Sequence, residues 1–172
     1  MFEARSIDSG SKPEFYRALA AQLEALLAGE SDPIANAANT SALLFQAMPD
    51  LNWAGFYFMR GGELVLGPFQ GRPACVRIPV GKGVCGTAVA RGCSILVEDV
   101  QAFPGHIACD FASRSELVVP LHGRDGIIGV IDLDSPSPGR FDADDRTGIE
   151  EVAAIWLSAC GEVERSTLAR AS

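Results

Sequence analysis

Apolar positions recur at helical spacing near the start of the chain, at Phe15, Leu19, Leu23, Leu26 and Leu27, and predict an amphipathic helix. Ser11-Lys12-Pro13-Glu14 reads as its capping box with proline in the first turn, and Gly29 as its stop. Asp32-Pro33 opens a second, alanine-rich helix with Ile34, Ala38, Leu44, Phe45 and Met48 as its apolar positions, ended by Pro49-Asp50. From Asn52 the period shortens. Trp53 to Met59 reads as a strand, Gly61-Gly62 as a hairpin turn and Glu63 to Leu66 as the return strand. Cys75 to Val80 is a third extended segment. Gly81 to Gly86 is a glycine-rich turn into a short helix, Thr87 to about Arg91, and Ser94 to Val97 is a fourth strand. Asp99 to Arg114 shows no clear period. Glu116 to Leu121 and Ile127 to Leu133 are two further strands around Gly123-Arg124-Asp125-Gly126. Asp142-Ala143-Asp144-Asp145 caps a last helix, with Ile149, Val152, Ala153, Trp156 and Cys160 on its buried stripe.

Strands that follow one another by tight turns form an antiparallel sheet. The expected fold class is therefore α+β: six antiparallel strands with the N- and C-terminal helices packed on one face. The 172 residues read as one domain, with helices over 1–50, the sheet and its loops over 51–140, a C-terminal helix over 141–165 and a frayed tail over 166–172. Hydrophobic residues make up 48% and charged residues 21%, a globular composition. The net charge of −8, with no basic run, argues against nucleic acid or anionic lipid as partners. No apolar stretch is long enough to span a bilayer, and the first residues lack a secretory h-region, so a cytoplasmic location is expected. Gly81-Lys82-Gly83-Val84-Cys85-Gly86 matches a dinucleotide-binding pattern literally, but the helix after it is too short for a crossover between parallel strands.

Five cysteines, Cys75, Cys85, Cys93, Cys109 and Cys160, do not make a disulfide framework in such a chain. Each reads first as a small buried hydrophobe, and Cys160 on its helical stripe suits that best. Cys75, Cys85 and Cys109 instead have polar or glycine-rich neighbours, where an accessible thiolate can form. Strand alternation puts Ile128, Val130, Asp132 and Asp134 on one face, with the two acids about 6.5 Å apart. A three-residue turn, Arg124-Asp125-Gly126, pairs Gly123 with Ile127 and so sets Glu116 opposite Asp134; a one-residue slip would turn Glu116 away. Read singly, each acid is a solvated strand end. Three converging acids would hold at least one protonated, able to donate to an oxygen, while ionised neighbours hold an ammonium. Trp53, Gly55 and Tyr57 share a face, either as core packing or as an aromatic wall with Gly55 leaving space between the rings.

The ordered set Trp53-Ala-Gly-Phe-Tyr57, Gly67-Pro-Phe-Gln-Gly71, Ala74-Cys-Val-Arg-Ile-Pro-Val-Gly-Lys-Gly-Val-Cys-Gly86, Phe103-Pro-Gly-His-Ile-Ala-Cys-Asp110, Ser113-Arg-Ser-Glu116 and Gly129-Val-Ile-Asp-Leu-Asp-Ser135 closely resembles the free methionine-(R)-sulfoxide reductases. These are GAF-fold enzymes acting on the free amino acid. The resemblance runs from about Trp53 to Trp156 and implies a GAF-like fold. It implies Cys109 as nucleophile, Cys75 as resolving cysteine and Cys85 as a third cysteine able to join disulfide exchange. Glu116, Asp132 and Asp134 match the active-site acids, Trp53 and Tyr57 the wall around the substrate methyl group, and the main chain at Ile107 and Ala108 the carboxylate site. Cys93 and Cys160 lie outside the family's cysteine set. The chemistry implied is thiolate attack on sulfoxide sulfur, with Glu116 as candidate acid and Asp134 beside it. A sulfenic acid and then an intramolecular disulfide would follow, reset by thioredoxin, with no metal or organic cofactor. A homodimer is also implied. Two alternatives stand beside this: a non-catalytic GAF module that senses a small ligand, and a metal site of Cys75, Cys85, Cys109 and His106, whose spacing lacks the short cysteine pairs of structural zinc sites.

Overall fold

Seven successive residues at the start of strand β1 (Trp53–Arg60) are buried, so the sheet around it is covered on both faces. The structure, a computed structural model, describes residues 4–105 and 112–161. Strands β2 (Glu63–Gly71), β3 (Arg77–Pro79), β4 (Ile95–Val97), β5 (Ser115–Gly123) and β6 (Gly126–Ser135) complete a six-stranded sheet in the order β3-β2-β1-β6-β5-β4. Every neighbouring pair is antiparallel. Helices α1 (Lys12–Leu27), α2 (Pro33–Ala47) and α4 (Ala143–Cys160) contribute to the core on one face, as the α+β reading expects. There Trp156 packs its ring 5.3 Å from Phe56 and 5.9 Å from Phe58, on a floor of Leu117, Val119, Ile131 and Leu133. The opposite face is also covered. Helix α3 (Gly83–Arg91) lays Val84, Cys85 and Ala88 against Tyr57, Val118 and Val130. Among the described residues no helix is long and apolar enough to cross a membrane.

Several local expectations are corrected. Ser11 accepts from the Glu14 amide, but the Glu14 carboxylate takes the Gly10 amide, so the predicted capping box is half formed. The box at α4 is complete, with Asp142 and Asp145 reciprocally bonded. Helix α2 turns Ala38 and Phe45 outward and buries Asn36, Ala37, Thr40, Ser41, Leu43 and Leu44. The return strand β2 runs on to Gly71, and the third strand keeps only Arg77–Pro79. The aperiodic stretch after Asp99 contains a 3-10 turn, Val100–Ala102, capped by the Asp99 side chain.

The glycine-rich run is a close backbone approach. A Cβ on Gly86 would collide with the Pro79 carbonyl, and the Gly81 amide donates to the Gly86 carbonyl at 2.8 Å. Strands β3 and β4, which flank α3, lie at opposite edges of the sheet, so no parallel crossover exists there.

The β5–β6 hairpin reaches the expected register by a different route. Gly123 pairs with Gly126 across a two-residue turn, and the register then shifts at Ile128. The shift restores Glu116 opposite Asp134. It also sends Ile128 into the helix-side core, away from Val130, where simple alternation had placed it.

Candidate active site

Strands β1, β6 and β5 lie side by side, and their register sets Trp53 opposite Asp134, Gly55 opposite Asp132, and Glu116 opposite Asp134. Directly paired residues share a face, so both aromatics and all three acids lie on the α3 side. Cys85 comes down onto them from the first turn of α3 rather than from a loop, and is 3% exposed. Its Sγ lies 3.9 Å from Glu116 Oε1. The thiol and one carboxylate oxygen each from Glu116 and Asp132 lie within 4.8 Å of one another.

Burial dominates the electrostatics of this cluster. Glu116 is held well above the usual carboxylate range, first by burial and then by the charges of Asp132 and Asp134. Burial also lifts Asp132, to about 7, against the opposing effect of its bonds with Cys85 and Glu116. The Cys85 thiol is pushed up by burial and by the same acids, so in the reduced cluster it stays protonated near neutrality, unlike the accessible thiolate its neighbours in sequence predicted. The site is therefore a proton store, with Glu116 the group best kept neutral.

Phe69, Trp53 and Tyr57 form one stack, with centroids 5.3 Å and 5.8 Å apart. The space expected above Gly55 is occupied by this stack: a Cβ there would meet the Phe69 Cβ, and the Trp53 Cη2 at 2.7 Å. The open space lies beside the rings, in a small cavity lined by Trp53, Tyr57, Arg72, Pro73, Ala74, Asp132 and Asp134. Two buried polar atoms of that lining, Trp53 Nε1 and Asp132 Oδ1, have no hydrogen-bond partner among the described residues. Such orphans are costly in a folded interior and mark a place for a ligand or water. Tyr57 donates to the Cys75 carbonyl at 3.1 Å, tying the half-buried Cys75 segment to the sheet. A wider groove on the helix side, lined in part by Leu27, Gly29, Ile155 and Ala159, holds none of the predicted site residues.

The structure thus brings together Trp53, Tyr57, Cys85, Glu116, Asp132 and Asp134, with Cys75 nearby on the same wall. Cys109, Ile107, Ala108 and the rival metal ligand His106 lie outside the described residues. Cys93 is exposed beyond α3, and Cys160 is half-buried, with the Asn36 amide 3.5 Å from its sulfur. Sequence reasoning missed Phe69 and Arg72. The signal for Phe69 was present: a glycine on one strand invites a large partner on the next, and Phe69 pairs with Gly55.

A family model described as the GAF domain matches residues 35–156. The free methionine-R-sulfoxide reductase of Escherichia coli is 56% identical over 144 residues, covering 84% of this chain and 87% of that protein. The free methionine-R-sulfoxide reductase of Saccharomyces cerevisiae is 41% identical over 158 residues, covering 87% and 88%. Among solved structures, a free methionine-R-sulfoxide reductase of Neisseria meningitidis, in complex with its substrate, superposes with a TM-score of 0.89. It is 44% identical, covering 93% of this chain and 96% of that one.

Proposed function

The chain belongs to the GAF-domain family and, within it, to the free methionine-R-sulfoxide reductases, and from that premise we propose that it reduces free methionine (R)-sulfoxide to methionine. The observation that carries the reading is the buried carboxyl pair, Glu116 and Asp132, set against an aromatic wall beside a cavity with an orphaned acceptor and an orphaned donor. A sulfoxide sulfur is a poor electrophile until its oxygen is protonated, and Glu116, kept neutral by burial, is the proton donor. Cys109, as thiolate, attacks the sulfur. The S–O bond of the substrate breaks, the oxygen passes to Cys109, and methionine leaves with the sulfur electron pair restored. Cys109 is now a sulfenic acid. The Cys75 thiol attacks it, the hydroxyl leaves as water, and a Cys75–Cys109 disulfide forms. An external dithiol, thioredoxin by the family's habit, reduces that disulfide by exchange. Cys85 is an alternative partner in the exchange.

Substrate selection follows from charge. Asp132 and Asp134 hold the ammonium of the free amino acid, the main chain at Ile107 and Ala108 receives its carboxylate, and Trp53 and Tyr57 pack its methyl group. A peptide bond removes the ammonium, so peptide-bound sulfoxide is rejected. The test is a panel of free R, free S and peptide-bound sulfoxide, run on wild type, Cys109→Ser and Cys75→Ser with thioredoxin as donor. Wild type turns over the free R form alone. Cys109→Ser is expected to be inactive, and Cys75→Ser to release one equivalent of methionine rapidly and then cycle slowly. Full activity in Cys109→Ser would overturn the nucleophile assignment.

A further inference from the structure

We propose that Cys85, Glu116 and Asp132 form a binding site for one borderline divalent cation, Zn2+, and that its occupancy excludes substrate. The three donors come from three fixed elements, the first turn of α3 and the adjacent strands β5 and β6. Their ligand atoms already lie within 4.8 Å of one another, with Cys85 Sγ and Glu116 Oε1 3.9 Å apart. Zn–S bonds of about 2.3 Å and Zn–O bonds of about 2.0–2.2 Å in a tetrahedron place ligand atoms about 3.5 Å from each other. Side-chain rotation of an ångström or so closes the remaining gap.

The donor set is selective. One thiolate among carboxylates suits zinc, whereas magnesium and calcium prefer oxygen alone. Asp132, only 6% exposed, keeps Oδ1 without a hydrogen-bond partner among the described residues, and it also lines the small cavity beside the stacked rings. A water supplies the fourth position. Binding forms a Zn–S bond at Cys85 and Zn–O bonds at Glu116 and Asp132; the Cys85 thiol proton and the proton that burial keeps on the Glu116 carboxyl pass to solvent, so affinity rises with pH. The competition with substrate, though not the metal binding itself, rests on the reading above, because it needs the same Glu116 and Asp132 to serve methionine sulfoxide.

Co2+, whose thiolate complexes absorb in the near ultraviolet, is the probe. It is titrated into the reduced, metal-free full chain. The band is expected to saturate at one equivalent in wild type. It should persist in the variant carrying Cys75→Ser, Cys93→Ser, Cys109→Ser and Cys160→Ser, and be abolished by Cys85→Ser alone. Asp132→Asn should weaken the affinity at least about tenfold, since even an outer partner of a metal site is worth that much. Absence of a band in wild type, or a band unchanged in Cys85→Ser, overturns the site, and this second comparison decides the matter if the fourfold variant does not fold. With free methionine (R)-sulfoxide, added Zn2+ is expected to raise KM and leave kcat unchanged. A fall in kcat at constant KM would overturn the shared site. A chain that shows the band but reduces no sulfoxide would keep the metal site and refute the reductase reading.

Discussion

Asp132 lies against Cys85 and Glu116, ligand atoms within 4.8 Å, and its Oδ1 has no partner among the described residues. Burial raises its pKa from 3.8 to about 7, so between those values the native state keeps a proton that the unfolded chain has lost. The stabilisation is complete below about pH 4 and disappears as pH rises through about 7. Asparagine carries no such proton. Asp132→Asn is therefore expected to match wild type near pH 4 and to exceed it at pH 8 by the order of a few kcal/mol, while KM for free sulfoxide rises at least about tenfold. Thermal unfolding across that range checks the first part, and two parallel profiles would remove Asp132 as the source of the slope. Gly55 has the opposite character, since space rather than charge defines it. Its added methyl in Gly55→Ala would meet the Phe69 Cβ, Trp53 Cη2 at 2.7 Å and Phe69 Cα at 2.9 Å. The methyl presses on Phe69 across the β1–β2 ladder as well as on the Trp53 ring, so ladder and ring must both shift and the substrate wall with them. The expected cost is about 1–3 kcal/mol together with a higher KM, and an unchanged urea midpoint would refute the packing argument.

Helices α1 and α4 meet at a buried carboxylate. Asp145, 1% exposed, completes the α4 capping box, accepts from the Tyr16 hydroxyl at 2.8 Å, and pairs with Lys12 at 2.5 Å and Arg140 at 3.2 Å. Gly148, one turn on, leaves room for the Tyr16 ring. Removing the charge while keeping the shape strands Arg140, whose side chain is 13% exposed, so Asp145→Asn should cost about 3 kcal/mol or more. Lys12 is 37% exposed, and Lys12→Gln should cost less than about 1 kcal/mol. Chemical denaturation of the two variants tests that order, and equal losses would place the strength of the joint elsewhere. At this scale periodicity found the four α-helices and six strands of the described residues but not the 3-10 turn, and on α2 it placed Leu44 and Met48 correctly while misplacing Ala38 and Phe45. Asn36, Thr40 and Ser41 are buried there, and both hydroxyls bond the preceding turn, Thr40 to the Asn36 carbonyl at 2.7 Å and Ser41 to the Ala37 carbonyl at 2.8 Å. Asn36 adds the Glu30 carbonyl and Ser41 the Pro68 carbonyl, so these polar side chains are buried with partners that hydropathy does not register. The shift at Ile128 is hidden for a related reason: bulges follow local backbone geometry, which alternation ignores.

The sheet separates two environments across the whole molecule. On one side Trp156, Phe56 and Phe58 anchor an apolar core against three helices; on the other, acids, a thiol and stacked rings share a thinner layer under α3. Part of this could be seen from the chain, because strand alternation set Trp53 with Tyr57 and Asp132 with Asp134; that the two pairs share one side of the sheet follows from the β1–β6 register. What alternation could not supply was depth. That Glu116 and Asp132 are 6% exposed, and that Cys85 is sealed beneath a helix turn, depends on α3 folding back over the sheet, a contact between segments distant in sequence. The separation makes stability and substrate binding independently adjustable. Trp156→Leu removes ring contacts in the helix-side core and is expected to cost about 2–4 kcal/mol with KM unchanged. Asp132→Asn at pH 8 should raise both stability and KM. Residues in separate cores add, so the double variant is expected to recover most of the lost stability, within about 0.5 kcal/mol of the sum, and to show the KM of Asp132→Asn alone. Urea denaturation and steady-state kinetics on the four proteins close the cycle. A coupling well above that margin, or a KM that shifts in Trp156→Leu, would mean that strain crosses β1 between Phe56 and Gly55 and that the two cores act as one.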